Sequence, residues 1–255
     1  MKPLTSFPTM RFLLFLSFAL SVLKATAQDS LTSSNVQKDF AKSSFFIGTQ
    51  IPVQFTAGFE QGFGSRLSVR LQAGFISKPY SGFIVDAMHA FGMNKYLARV
   101  IKKAFQSGSV FSIGPNYHFG KNYVGVYGQY LHLTGGGITP ADALSIYFKK
   151  DFTQFDITGL PAFQFSMQSN IFNVGALFGH QFQLGNPHLS LNGEVGFAKI
   201  VASENTFSSN RTLIDQTSLA RNLYSEIDQS IRKDYVKYGY IPTINVYLVF
   251  RFLRQ

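Results

Sequence analysis

Hydrophobic and polar residues alternate one by one along several segments of this chain, and this period constrains the fold more than any other feature. One parity of the last predicted strand is entirely apolar: Ile244, Val246, Leu248, Phe250 and Phe252. The other parity carries Thr243, Asn245, Tyr247 and Arg251. Side chains of a strand point alternately to its two faces, so this segment predicts a strand with one apolar and one mostly polar face. The same alternation returns in residues 53–63, 67–75, 109–119, 171–184 and 189–199. The chain is therefore predicted to be all-β.

Short and long connections alternate between these segments. Tight turns are predicted at Gly64-Ser65, Gly120-Lys121-Asn122 and Gly185-Asn186-Pro187. Long connections cover roughly residues 80–107, 136–166 and 204–235. Short turns at one end and long loops at the other are typical of a closed, antiparallel, up-and-down transmembrane β-barrel. Compact soluble domains rarely carry several loops of this length.

The long loops carry helix signals. Thr139 can cap a helix that starts with Pro140 and has Asp142 in its first turn. Asn94 and Ser218 are predicted to cap two further helices, each with an apolar stripe. We expect these helices to pack on one another or on the barrel rim, and a lid or a partner-binding face is the alternative.

The number of strands is predicted from the even strand numbers of known bacterial barrels. Seven segments are clear from residue 55 onward, and bacterial single-chain barrels have even numbers of strands. Residues 44–50 are the candidate for the eighth, with a tight turn at Ile51-Pro52. The apolar parity of Phe45 and Ile47 continues through Val53, which would suit one long strand equally well. We predict eight strands, with ten as the alternative.

The N-terminal residues predict export. Residues 1–27 combine Lys2 and Arg11, an apolar run and an Ala25-Thr26-Ala27 box, as in a cleaved secretory signal peptide. The alternative is an uncleaved membrane anchor, but the apolar run is too short for a membrane-spanning helix. Residues 28–43 are predicted to be a flexible tail, and residues 44–255 the barrel.

Composition excludes several classes of site. The chain contains no cysteine, so neither a disulfide nor a thiolate metal site can form. The formal charge is +10, but no basic run is interleaved with aromatic residues, so nucleic acid is not an expected partner. Contact with anionic lipid headgroups suits a basic exported protein, and a solubility charge spread over the loops is the alternative. We expect no metal and no cofactor.

The polar faces of the strands predict what fills the barrel. An eight-stranded barrel is just wide enough to be filled by side chains, and buried charges are costly unless they are paired. A polar lumen cluster is predicted from Glu60, Arg70, Gln72, Asn116, Asn192, Glu194 and Arg251. We interpret it as a salt-bridge network that locks the barrel, and a gated narrow conduit or a small-ligand site is the alternative.

Catalytic sets are weakly indicated. His132 could be combined with Asp142 and Ser145, but their spacing does not require it, and no catalytic residues are predicted. Five tyrosines near strand ends suit either aromatic girdles at the membrane interfaces or an ordinary core: Tyr80, Tyr123, Tyr130, Tyr238 and Tyr240.

The signal-like residues 1–27, the hairpin of residues 53–75 and the aromatic strand ending at Phe252 together resemble the small outer-membrane β-barrel proteins of bacteria. In that family the terminal strand is similar to the signal read by the barrel-assembly machinery, and here residues 253–255 follow it. The resemblance implies a location in the outer membrane of a Gram-negative bacterium, in contact with its lipid and lipopolysaccharide. It implies a structural, surface-interaction or small-solute passage role. The alternatives are a lipid- or peptide-processing outer-membrane enzyme and a soluble, exported, lipocalin-like binding protein.

Overall fold

Eight antiparallel strands form a closed ring in which each strand pairs with the next along the chain and the last pairs with the first. The computed structural model describes residues 43–148, 150–152, 164–210 and 217–252. The predicted closed, antiparallel, up-and-down barrel of eight strands is confirmed, and the alternative of ten strands is wrong. The predicted signal peptide and almost all of the predicted tail lie outside the described residues.

The strands differ greatly in length. Their bounds are β1 Ser43–Ile51, β2 Gln54–Phe63, β3 Leu67–Ile76, β4 Phe105–Phe119, β5 Asn122–Ile138, β6 Phe165–Leu184, β7 Asn186–Ser209 and β8 Tyr240–Phe252. The first three have nine or ten residues, whereas β6 has 20 and β7 has 24. The wall formed by β5, β6 and β7 therefore rises well above the wall formed by β1, β2 and β3.

The register shows how steeply the strands are inclined. A path through paired residues, from Phe45 around the ring, passes Phe59, Leu71, Ile113, Gly128, Val174, Lys199 and Tyr240. Phe45 itself pairs with Phe250, which lies ten residues beyond Tyr240 on β8. A stagger of this size in an eight-stranded ring corresponds to a strand tilt of about 40°.

The two ends of the ring are built differently. The tight turns after β2, β4 and β6 lie at the same end as the start of β1 and the end of β8, as predicted. The other end carries the tight β1–β2 turn and three longer connections. Val53 was expected on the outer apolar face, and this was wrong: it lies in the β1–β2 turn, where it is buried against the helices.

Four helices occupy the long connections within the described part of the chain. Their bounds are α1 Lys78–Ala90, α2 Lys95–Ala104, α3 Pro140–Phe148 and α4 Ser218–Tyr238. The side chain of Asn94 accepts hydrogen bonds from the backbone N–H groups of Tyr96 (2.9 Å) and Leu97 (3.4 Å), so it caps α2 as predicted. Thr139 and Asp142 form a reciprocal capping box at the start of α3.

Helix α1 was not predicted, and its weak sequence signals explain why. Ser77 stands at its N-cap but makes no side-chain capping hydrogen bond. Gly82 within the helix lowers its intrinsic propensity. Among the described residues, none of the helices is both long and apolar enough to cross a membrane.

The helices seal the ring at the end with the long connections. Their apolar side chains join inward-facing strand residues in one continuous core, which includes Met88, Leu97, Leu131, Ile200, Ile231 and Ile241. Tyr235 of α4 is buried in this core, and burial raises the pKa of its phenol well above the ordinary range. We refer to α1–α4 as the helical cap.

Candidate functional site: the barrel interior and its apolar outer band

The outer surface of the ring is apolar over much of its height. The phenylalanine, leucine, isoleucine and valine side chains of the outward parity are largely exposed, as for Phe55 (54%) and Leu71 (41%). The inward parity on the same strands is polar and buried, as for Gln54 and Asn173 (both 0%). This is the reverse of a water-soluble barrel, which keeps polar residues outside.

The outer band ends at a definite level on the long strands. On β5, β6 and β7 its last large apolar members are Tyr130, Phe172 and Val201. Beyond this level the outward residues are polar, and they include His132, Thr134, Ser166, Gln168, Asn170, Glu204, Thr206 and Ser208. We refer to these polar residues as the polar wall.

Arg70 is the centre of the polar lumen. It is 6% exposed and lies between two buried carboxylates on different strands. Its Nη2 lies 3.0 Å from Glu60 Oε2, and its Nη1 donates to Glu194 Oε1. A buried cation shared by two carboxylates links β2, β3 and β7 across the ring.

Each carboxylate is satisfied by further donors. Glu60 Oε1 accepts hydrogen bonds from Ser68 Oγ and from Asn116 Nδ2 at 3.1 Å, and His118 Nε2 lies at 3.1 Å. Glu194 accepts from Asn245 Nδ2 (2.8 Å) and from the hydroxyl of Tyr123, to which Asn192 Nδ2 donates (3.3 Å). Buried charges need such partners, since each unpaired oxygen would cost free energy.

Five of the seven residues proposed for the lumen cluster therefore lie in one hydrogen-bonded network: Glu60, Arg70, Asn116, Asn192 and Glu194. Gln72 is buried beside it and lines a small cavity together with Arg70. Arg251 joins the network at its edge. Its Nη2 donates to Gln181 Oε1 (2.7 Å) and to Ser190 Oγ (3.2 Å), and Ser190 Oγ in turn donates to Asn192 Oδ1 (3.4 Å). Neither acceptor of Arg251 is a carboxylate.

An aromatic cage around Arg70 was not foreseen. Its guanidinium lies 5.1–5.4 Å from the ring centroids of Phe46, Tyr123 and Tyr247, which adds cation–π attraction in a desolvated site. Tyr123 was considered for an interface girdle, but it is fully buried inside the ring. Tyr247 lies on the predicted polar face, but nothing in its spacing indicated that it would face Arg70.

Glycines on facing strands make room for these rings. Phe46 pairs with Gly58, Tyr123 with Gly179, and Tyr247 with Gly48. A Cβ atom on Gly179 would lie 2.2 Å from Cζ of Tyr123, so the ring occupies the space that a side chain would need. Glycines of the inward parity opposite large aromatic residues are the sequence signal that could have identified the cage.

A layer of amides lies between the charged network and the apolar core. Gln50 Oε1 accepts from Gln54 Nε2 (2.8 Å) and from Gln129 Nε2 (3.1 Å), and Gln129 Oε1 accepts from Asn173 (3.3 Å). The cavity beside this layer measures about 20 Å³, which is room for about one water molecule.

Ser68, His118 and Glu60 have the residue types of a catalytic triad but not its geometry. Ser68 Oγ and Glu60 Oε1 both contact the same nitrogen of His118, Nε2, at 2.9 and 3.1 Å. A nucleophile and an orienting carboxylate must use different ring nitrogens.

The set of His132, Asp142 and Ser145 is not assembled among the described residues, because each of the three contacts a different partner. His132 Nδ1 contacts Asn170, Asp142 binds Lys103, and Ser145 Oγ donates to a backbone carbonyl within α3. Among the described residues, no group of three or more potential ligands could hold a metal ion.

Comparison with known proteins gives likenesses of structure only. No protein-family model and no curated protein matches the chain. The structure is similar to a major outer membrane protein from Thermus thermophilus, at 15% identity and a TM-score of 0.42, covering 82% of this chain and 99% of that one. It is also similar to CarO2 and CarO of Acinetobacter baumannii, at 12% and 11% identity and TM-scores of 0.36 and 0.35. These two alignments cover 83% and 84% of this chain and 98% of each of theirs.

Because these sequence identities and TM-scores are low, the fold is assigned from the strand order and register of the chain itself.

Proposed function

We propose that this chain is an integral outer-membrane β-barrel with a sealed lumen, which anchors the helical cap at the cell surface in a structural or surface-interaction role. The observation that carries the proposal is the inverted polarity of the ring. Apolar side chains cover its outside, while charged and amide side chains fill its inside. Only a closed barrel or a helix satisfies its backbone hydrogen bonds in lipid, and a band of this kind is what lipid requires of a barrel.

The soluble, lipocalin-like alternative predicts the opposite arrangement. A soluble binding barrel keeps a polar surface and encloses an apolar ligand cavity. Here the lumen at the end with the tight turns contains an arginine paired with two glutamates. The lumen at the end with the long connections is filled by apolar side chains of the helical cap. The arrangement of the described residues favours lipid on the outside.

Passage of small solutes is disfavoured by the same packing. The cavity beside the amides and the apolar cavity beneath α1 and α4 each measure about 20 Å³. A hydrated ion would have to displace both the Arg70 network and the apolar core. We therefore favour a closed barrel, whose contacts in the membrane are lipid and lipopolysaccharide and whose assembly uses the barrel-assembly machinery. Among the residues that the structure describes, no assembled triad supports the enzyme alternative.

Insertion of Leu71→Arg into lipid vesicles tests the membrane location. Leu71 is 41% exposed in the middle of β3, so an arginine there should destabilise the inserted barrel by about 2–4 kcal/mol. Thr206→Arg is the matched control, because Thr206 is exposed on the polar wall and its replacement should insert normally. Equal insertion of both variants, or partition of the wild-type protein into the aqueous phase of a detergent phase separation, would contradict the proposal.

Planar-bilayer recording tests the sealed lumen separately. We expect no steady single-channel current from the purified full-length protein. Reproducible unit currents would show that the lumen opens, and would restore solute passage as the role while leaving the membrane location intact.

A further inference from the structure

The outward side of helix α1 is continuous with the apolar outer band. We infer that α1 is an interfacial helix that lies in the headgroup region of the outer leaflet, with Phe83 dipping into the lipid. This inference rests on the proposed function, because it requires the outer band to face a bilayer. It assigns a lipid-contact surface to the helical cap in addition to the strands.

The first observation is where the band stops on the short side of the ring. On β5, β6 and β7 the polar wall separates the band from the connections above. On β1, β2 and β3 the band continues to the rim, since Ile51, Phe55 and Phe75 are 44–54% exposed there. Helix α1 begins only two residues after β3 ends. No stretch of polar wall lies between the apolar band and the start of α1.

The second observation is how the two ends of α1 are attached. At its start, the Tyr80 hydroxyl lies 2.6 Å from Thr49 Oγ1, and the Tyr80 ring packs edge-on against Phe55 at 4.8 Å. Just beyond its end, Phe91 packs against Tyr240 at 5.4 Å. Thr49, Phe55 and Tyr240 all have the outward parity of their strands. The helix is therefore held at the outer side of the rim at both ends.

The third observation is the polarity of α1 around its circumference. Ile84, Val85 and Met88 are buried in the apolar core, yet Phe83 is 56% exposed and Phe91 is 38% exposed. A single exposed phenylalanine in water needs no explanation. Exposed phenylalanines that continue an apolar band are the arrangement expected of a helix lying in the interface plane.

The charges near α1 suit an anionic lipid surface. Asp86 is the only acidic residue of the helix, and Lys102 of α2 pairs with it at 3.0 Å. At the far end, Lys199 lies 3.7 Å from the ring centroid of Tyr240 and donates to the carbonyls of Val236 and Lys237. A lysine stacked on an outward tyrosine at the edge of the band matches the aromatic and basic residues of membrane interfaces.

Single-tryptophan reporters test this inference directly, because the chain contains no tryptophan. Phe83→Trp, Leu71→Trp and Ser166→Trp are each refolded into vesicles with bromine atoms either near the lipid carbonyl groups or near the chain ends. Leu71 represents the band and Ser166 the polar wall. We expect emission of Phe83→Trp to be lost mainly to the shallow bromines, that of Leu71→Trp mainly to the deep ones, and that of Ser166→Trp to neither. Phe91→Trp provides a second reporter on the helix in case Phe83→Trp does not fold.

The outcomes separate the two proposals. If Leu71→Trp is quenched while the helix reporters behave like Ser166→Trp, α1 faces water and this inference is wrong, although the barrel remains a membrane protein. If the deep bromines quench the helix reporter more than the shallow ones do, its placement in the headgroup region is also wrong. If Leu71→Trp is not quenched at all, the proposed function itself fails.

Discussion

The lower and upper halves of this barrel have opposite distributions of polar and apolar side chains between the inside and the outside of the ring. In the lower half, at the end with the tight turns, the strands are apolar outside and polar inside, with Arg70 at the centre. In the upper half, the polar wall of β5, β6 and β7 is outside and the apolar core with the helical cap is inside. The core of each half is opposite in polarity to what we propose surrounds it, namely lipid below and water above. One ring of strands thus combines the logic of a membrane barrel with that of a soluble domain.

The change occurs within single strands. On β6, Phe172 faces out and Asn173 faces in, whereas higher up Gln168 faces out and Met167 faces in. On β7 the register shifts between the partners Ala202 and Ile200, which changes the parity of the inward residues at the same level. A β-bulge there lets the strand keep pairing while its faces are reassigned.

The largest expected effect tests the lower half. Arg70→Met removes the cation between Glu60 and Glu194 and leaves two buried carboxylates without it. We expect a loss of about 3–5 kcal/mol in the free energy of unfolding, because breaking a buried ion pair on one side uncovers the other charge. Reversible urea unfolding in vesicles is the measurement. Arg251→Met, which removes no carboxylate contact, should cost far less.

Neutralising the whole network separates charge from packing. If the cost of Arg70→Met comes from unpaired carboxylates, adding Glu60→Gln and Glu194→Gln should restore most of the lost stability. A triple variant as unstable as the single one would show that the aromatic cage, and not the ion pairs, holds this half together.

The next largest effect tests the upper half. Ile231 of α4 is fully buried in the apolar core, so Ile231→Ala should cost about 2–4 kcal/mol through lost burial and a cavity. Val236→Ala on the same helix is the control, since Val236 is 37% exposed. We expect hydrogen exchange to increase in the helical cap while the strands around Arg70 stay protected. Equal loss of protection in both halves would mean that they unfold as one unit.

The two halves also differed in how far their sequence could be interpreted. The lower half was predictable, because its strands alternate between apolar and polar residues, and their polar parity identified Glu60, Arg70 and Glu194. The upper half was not, since strands such as β7 carry polar residues on both faces there, including Ser203 and Glu204, and the predicted loop began too early. Its helices were found only where capping residues marked them, as at Asn94.

Packing inside the lower half is tested by a smaller change. A methyl group on Gly179 would lie 2.2 Å from the ring of Tyr123, so Gly179→Ala should cost about 1–3 kcal/mol through overpacking. Gly128→Ala on the neighbouring strand is the control, because its nearest neighbour is Phe172 Cζ at an ordinary 3.5 Å. Repeating Gly179→Ala in a Tyr123→Ala background should abolish the cost. An undiminished cost there would assign it to the backbone and not to the aromatic cage.

The smallest expected effect concerns the helical cap. Asn94→Ala removes the side chain that accepts from the first N–H groups of α2, and it should cost about 1 kcal/mol. Ser77→Ala is a matched control, because Ser77 occupies the same position of α1 without a capping hydrogen bond and its loss should be nearly neutral. Hydrogen exchange resolved by segment should be faster than in the wild type at the start of α2 and unchanged around Arg70. Faster exchange in the lower strands would mean that the stability of the lower half depends on the helical cap, so that the two halves are not independent.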